Sequence, residues 1–312
     1  MTIIIISESI KGENMDFKKI ADDFEKRFCR KCEKIFFCGM PLTILKSESF
    51  CLSAVLSIGG SAALARRRDG RFTAEFDGNK KYISENVIEA ELHRSEPMIG
   101  FLIRVKDQGA KLGGADILFE YNTGIYNEYE PLLLSSMYWF CKNMPAPGNA
   151  KSCLSYRERD FAALCGVENT LLLSGEKNVY IKFSDRAVKI VICHIDGENK
   201  IPHCNDETLI NAAKILSLGD YRRFGELITQ EYRQSDLKNA ASKNLFEAAL
   251  EQKDALGIGI AESGGIFAIV ENKKVNAFIQ NLKKEYETYY GSAPGFYVTR
   301  TENSGIYGRC PV

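Results

Sequence analysis

No stretch of this chain approaches the ~18–20 consecutive apolar residues that a membrane-spanning helix requires. Near the start, four isoleucines (residues 3–6) run straight into Ser7 and Glu8, too short a run for a signal-peptide core. The expectation is a cytoplasmic protein with no membrane partner. Neither charge sign dominates, with 41 basic residues against 41 acidic ones. A neutral chain lacks the electrostatic footprint of a nucleic-acid or anionic-lipid binder, so neither is an expected partner. The local run "RRRDGR" (66–71) reads as a solvated hairpin. Histidine is scarce: His93, His194 and His203 stand at spacings that build neither a triad nor a metal site. Also absent are a G-x-x-x-x-G-K-[ST] loop and a G-x-S-x-G elbow.

What is present is a chain long enough for about two domains of ~150 residues each. Its 312 residues are 45% apolar and 11% aromatic, enough for full hydrophobic cores. Ten cysteines are scattered through apolar segments such as "VKIVICHI" and "FAALCGV", which reads as reduced, buried thiols. Cys29, Cys32 and Cys38 form the tightest group, C-x2-C-x5-C. Zinc would want a second cysteine or histidine pair, and none follows. Cys29 and Cys32 are expected in the last turns of a helix.

That helix is "DFKKIADDFEKRFCRK" (16–31), where Phe17, Ile20, Ala21, Phe24 and Phe28 recur at amphipathic spacing. Short strands are expected at 34–39, 53–58, 70–78 and 113–122. In "GRFTAEFDG", Phe72, Ala74 and Phe76 alternate with polar residues, as in a half-buried strand. A buried helix follows at 130–144, a Pro/Gly loop at 145–152, a helix at 153–165 and strands at 178–183 and 186–193. Residues 207–252 read as three helices, with Gly219 and Asp220 stopping one and capping the next. The final third reads helix, glycine loop, strand "GIFAIV", helix, strand "GFYVTR". A boundary near 195–206 divides a mainly β part (1–200) from a helix-rich part (201–312). The class expected is α+β with two packed domains.

The segments "ILSLGDYRRFGELITQEYR" and "GIGIAESGGIFAIVENKKVNAFIQNLKKEYETYYGSAPGFYVTR" resemble the C-terminal part of galactokinases. These belong to the GHMP superfamily of small-molecule kinases, with homoserine and mevalonate kinases. Upstream, "FFCGMPLTILKSESFCLSAVLSIGGSAALARRRDGRFTAEF" and "ERDFAALCGVENTLLLSGEKNVYIKFSDRAVKIVIC" lie collinear with the family's sugar motif and its "GIMDQ" segment. The resemblance implies a ribosomal-S5-like N-terminal domain and a ferredoxin-like C-terminal domain. It also implies transfer of the γ-phosphoryl group of Mg·ATP to a sugar hydroxyl, which needs phosphate cradled by backbone N–H groups, a carboxylate and a cation.

The reactive positions are altered. In "CGMPLTILKSESF", Met40 stands where the family has an arginine, and Lys46, Ser47 and Ser49 replace the residues that grip the sugar, with Glu48 one register away. In "EYNTGIYNEYEPLLLSSMYW", Ser135 and Ser136 are the remnant of a phosphate loop, preceded by Glu128 and Glu130 instead of glycines. In "CGVENTLLL", Asn169 takes the place of the family's aspartate, with Glu168 beside it. In "AESGGIFAIV", Ser263, Gly264 and Gly265 survive from a glycine run that packs under nucleotide phosphates, whereas Glu262 and Ile266 replace small residues.

Three readings follow. In the first, the chain is galactokinase-like, has lost phosphoryl transfer, and serves as a binding or regulatory module for a small molecule such as a sugar or nucleotide. In the second it is an active kinase using Mg·ATP, with Lys46 as the cation, Glu48 or Glu168 as the carboxylate, and Ser135, Ser136 and Ser263 holding phosphate or Mg²⁺. No metal beyond that Mg²⁺ is expected. The third is an interaction protein whose stretch "YNTGIYNEYEP" meets a protein partner through Tyr126 and Tyr129.

Overall fold

The computed structural model describes residues 17–76, 79–83, 114–121, 170–175, 177–184, 186–197, 199–235, 237–299, 301 and 306–309. The chain divides into two compact units. One consists of Met1–Ile10, Pro41–Ile58 and Val167–Asn303, the other of Lys11–Met40, Gly59–Gly166 and Ser304–Val312. The class is mixed α+β, as the sequence implies.

In the second of these units, helix α1 (Phe17–Phe28) buries the predicted stripe. Ile20 and Phe24 pack with Ile35, Ala63, Ala65 and Leu118, flanked by Phe17, Ala21 and Phe28. The helix ends one turn earlier than expected. Cys29 adopts the left-handed conformation at φ 53°, which stops the helix, so Cys29 and Cys32 lie beyond it. The strands here belong to β1 (Lys34–Lys46), β2 (Cys51–Arg67), β3 (Phe72–Phe76), β4 (Asn79–Ile83) and β5 (Gly114–Tyr121). Strand β5 runs antiparallel to β2 and parallel to β3.

The 66–71 run is not the expected hairpin: Arg66 and Arg67 end β2, β2 and β3 each pair with β5 between them, and the two arginines are paired inside the unit. Arg66 donates to Glu33 at 2.8 Å, and Arg67 to Asp69 and Asp116 at 2.6 and 2.8 Å. Arg30 also reaches the buried carboxylate of Asp116, and Arg27 binds buried Glu75. A buried carboxylate demands such partners, so these cations are structural.

The other unit contains β6 (Thr170–Ser174), β7 (Val179–Lys182), β8 (Val188–His194), β9 (Ala255–Ile260), β10 (Ile266–Glu271) and β11 (Gly295–Thr299). Strands β11, β8, β10 and β9 form an antiparallel sheet in that order. Helices α2 (Asp206–Ser217), α3 (Tyr221–Arg233), α4 (Ala240–Leu250) and α5 (Val275–Tyr290) complete the unit. Beyond the last of them, β12 (Ile306–Arg309) pairs with β1 in the unit described above. Gly219, at φ +75°, ends α2, and the Asp220 side chain caps α3 by accepting from Arg223 N at 3.0 Å. This matches the stop-and-cap expectation.

Strand β9 is a difference from the sequence reading, which placed a glycine loop there. Its glycines exist because neighbours come too close for a side chain. A Cβ on Gly225 of α3 would lie 2.2 Å from Leu256 O, and one on Gly257 2.3 Å from Gly225 Cα. Thr229 of the same helix accepts from Ile258 N at 2.9 Å. The helix therefore covers the sheet edge and satisfies one of its open donors.

Candidate functional site

The glycine motif forms the hairpin loop Ala261–Gly265 between β9 and β10. Gly264 and Gly265 have φ of +102° and +76°, a backbone region where glycine alone is unstrained. Both face backbone at close range. A Cβ on Gly264 would meet the carbonyl oxygens of Ile195 and Gly197 at 2.2 Å, and one on Gly265 would meet Cys193 O at 2.0 Å. Their N–H groups are engaged internally: Gly264 N donates to Ala261 O at 3.1 Å and Gly265 N to Ser242 Oγ at 3.2 Å. Asn199 braces the loop from outside the hairpin, with its side-chain amide donating to Ala261 O at 2.8 Å and Gly265 O at 3.2 Å.

A phosphate cradle needs N–H groups pointing at the ligand. Neither glycine has one left to offer, and the loop carries an acid. Glu262 accepts from Thr43 Oγ1 at 3.4 Å. The two glycines do not fit a nucleotide phosphate as this loop stands.

The end of β1 and the turn into β2 carry the positions of the sugar motif. Met40 is buried in its strand at 3% exposure, an apolar core residue. The Ser47 hydroxyl closes the turn, accepting from Phe50 N at 3.0 Å. Ser49 N donates to Asp206 at 3.4 Å, and hydrogen bonds from Ser47 and Ser49 hold the Asp206 carboxyl below its ordinary range. Both serines thus fasten the turn to the start of α2. Lys46 is half-buried and makes no ion pair among the described residues. Its carbonyl accepts from Cys204 N at 2.9 Å, and its backbone bridges to His203. Glu48 is exposed. The phenol of fully buried Tyr232 donates to Ile44 O at 3.0 Å, fixing this end of β1 to α3. Burial pushes the Tyr232 hydroxyl well above the ordinary phenol range.

The loop also has a titratable neighbour. His194, at the end of β8, lies beside the Gly264 backbone. Burial depresses its pKa, opposed by that backbone and by Asp196. His194 Nδ1 and Ser263 Oγ are buried without a partner among the described residues. Asn199, His194, Asp206 and Tyr232 were not anticipated. Only the Asn199 loop ("DGENK") carried a turn signal, and none marked what the residue would brace.

Ser135, Ser136, Glu168 and Asn169 lie outside the described residues, as do Tyr126, Glu128, Tyr129, Glu130 and His93. Among the described residues, Cys29, Cys32, Cys51, Cys193 and Cys204 are reduced and form no disulfide. Burial pushes Cys204 up to about 11 and raises Cys32 and Cys193. No group of three or more metal-ligating side chains gathers there.

Known proteins give this arrangement a context. No family model matches the chain. A galactokinase of Streptococcus suis (strain 05ZYH33) is 33% identical over 117 residues, covering 33% of this chain and 30% of that protein's length. The crystal structure of Lactococcus lactis galactokinase complexed with galactose superposes with a TM-score of 0.76 at 17% identity, over 93% of this chain and 99% of that one. Homoserine kinase from Cytophaga hutchinsonii gives 0.63 at 12% identity, over 89% and 98% of the two chains. Methanococcus jannaschii mevalonate kinase gives 0.62 at 11%, over 88% and 99%.

The chain therefore has the fold of the GHMP small-molecule kinases. A part amounting to 33% of the chain is also similar in sequence to a galactokinase, of whose length the match covers 30%.

Proposed function

We propose that this chain is a galactokinase-like protein that no longer transfers phosphate and acts as a binding or regulatory module for a small molecule, a sugar foremost. The observation that carries this reading is the hairpin 261–265. Both glycine N–H groups are bonded within the protein, and Glu262 adds negative charge where a triphosphate would be repelled. Met40 supports it, since a buried thioether cannot stabilise the charge that develops in phosphoryl transfer. Ser47 and Ser49 support it too, being fastened into their turn. No helix among the described residues is long and apolar enough to cross a membrane.

The test is ADP release from Mg·ATP with galactose and related sugars. The expected rate equals the protein-free blank, and turnover of order 1–100 s⁻¹, the usual kinase range, overturns the proposal.

One observation favours a second reading, an active kinase with a rearranged site. Lys46 is a half-buried cation without an ion-pair partner among the described residues, available for an anionic ligand. That reading predicts measurable turnover that Lys46→Met abolishes, and an unchanged rate in the variant removes it.

A further inference from the structure

At the end of the four-stranded sheet opposite the glycine hairpin, a cavity of about 690 Å³ opens beside the starts of β8 and α3 and the end of β10. Strand register sets the separation. Val188 pairs with Glu271 at this end and Cys193 with Ile266 at the other, which is about 17 Å at ~3.3 Å per residue. The cavity is therefore distinct from the hairpin.

Three segments bring a cation to its walls: Arg186 before β8, Arg222 in the first turn of α3, and Lys273 after β10. Two carboxylates also line it, and each has other partners. Asp220 accepts from Arg223 N at 3.0 Å, and Glu271 lies 3.8 Å from Lys273 and 3.6 Å from Lys274. Arg186 and Arg222 are exposed, and neither forms an ion pair among the described residues. The wall between them is firmly built. Tyr221 OH accepts from Ser184 N at 2.9 Å, and its ring meets Phe183 edge-on at 5.5 Å.

We propose that this cavity binds a phosphate-bearing small molecule. A guanidinium presents a planar fork of donors that matches phosphate oxygens in pairs, and two forks without an ion pair among the described residues on one cavity suit a dianion better than a carboxylate or a neutral sugar. Lys273 adds a third, shared charge. The first turn of α3 lies on the same wall, with its end capped by Asp220. This site does not depend on whether the chain transfers phosphate.

The test titrates inorganic phosphate, at constant ionic strength against chloride, by calorimetry and by melting temperature. The wild-type chain is expected to saturate. Arg186→Gln/Arg222→Gln should weaken binding tenfold or more, while Arg222→Lys, which keeps the charge and loses the fork, should fall between. Arg233→Gln, which removes the same charge from the far end of α3, should leave the affinity unchanged. These side chains are exposed, and melting curves without phosphate check that each variant folds. No saturable response in the wild type overturns the site. So does a double variant that binds phosphate as tightly as the wild type, or an Arg233→Gln effect of equal size.

Discussion

Replacing Gly265 by alanine tests whether the glycine hairpin is structural. The added Cβ would sit 2.0 Å from Cys193 O, whereas ordinary contact begins near 3.4 Å. The loop or the end of β8 must therefore give way by more than an ångström, and both are backbone held in a sheet. Overpacking of this kind costs about 1–3 kcal/mol. The φ of +76° adds left-handed strain of roughly 1–2 kcal/mol for a residue with a Cβ. A displaced loop also weakens the bond from Gly265 N to Ser242 Oγ, worth about 1 kcal/mol. Together these predict a loss of roughly 3–6 kcal/mol, or about 5–9 °C in Tm for a chain of this size. Gly219→Ala supplies the reference. Gly219 has nearly the same φ, +75°, but no atom within 4 Å of its Cβ, so it should lose only the strain. Calorimetric melting of the two variants isolates the steric part. The reasoning is refuted if Gly265→Ala melts no lower than Gly219→Ala.

Gly225→Ala places a Cβ 2.2 Å from Leu256 O. The helix-propensity gain of about 1 kcal/mol over glycine should be offset or outweighed, giving a net loss of up to about 2 kcal/mol in urea melts; a stabilised variant contradicts the close packing of α3 on β9. His194 has a folded-state pKa below its ordinary 6.5. Between that depressed value and 6.5 the unfolded chain binds more protons, so stability is full above pH 6.5 and declines as pH falls through this window. His194→Gln should flatten that part of the stability–pH curve, and an unchanged slope argues against the assignment.

Local patterns made the helices legible. The stripe from Phe17 to Phe28 and the Gly219–Asp220 stop-and-cap are written in neighbouring residues, and the structure realises both. Strand lengths were less so: β2 extends to Arg67 through "GGSAALARR", mostly small residues without alternation or β-branching to announce a strand. The role of Gly264 and Gly265 was not legible either. It is set by carbonyls of Cys193, Ile195 and Gly197, some 70 residues earlier in the chain, and by Asn199. A glycine pair looks alike in sequence whether its N–H groups face a phosphate or a serine. The same holds for Arg66 and Arg67, whose partners Glu33 and Asp116 are remote in sequence. The family resemblance, by contrast, was carried by a collinear series of segments, and the fold match spans 93% of the chain.

The central claim is that this GHMP-fold chain does not transfer phosphate. A coupled ADP-release assay with Mg·ATP and galactose, read against the protein-free blank, tests it most directly. The account predicts a rate indistinguishable from the blank. Galactose-dependent turnover of order 1–100 s⁻¹, as in working kinases, would contradict it.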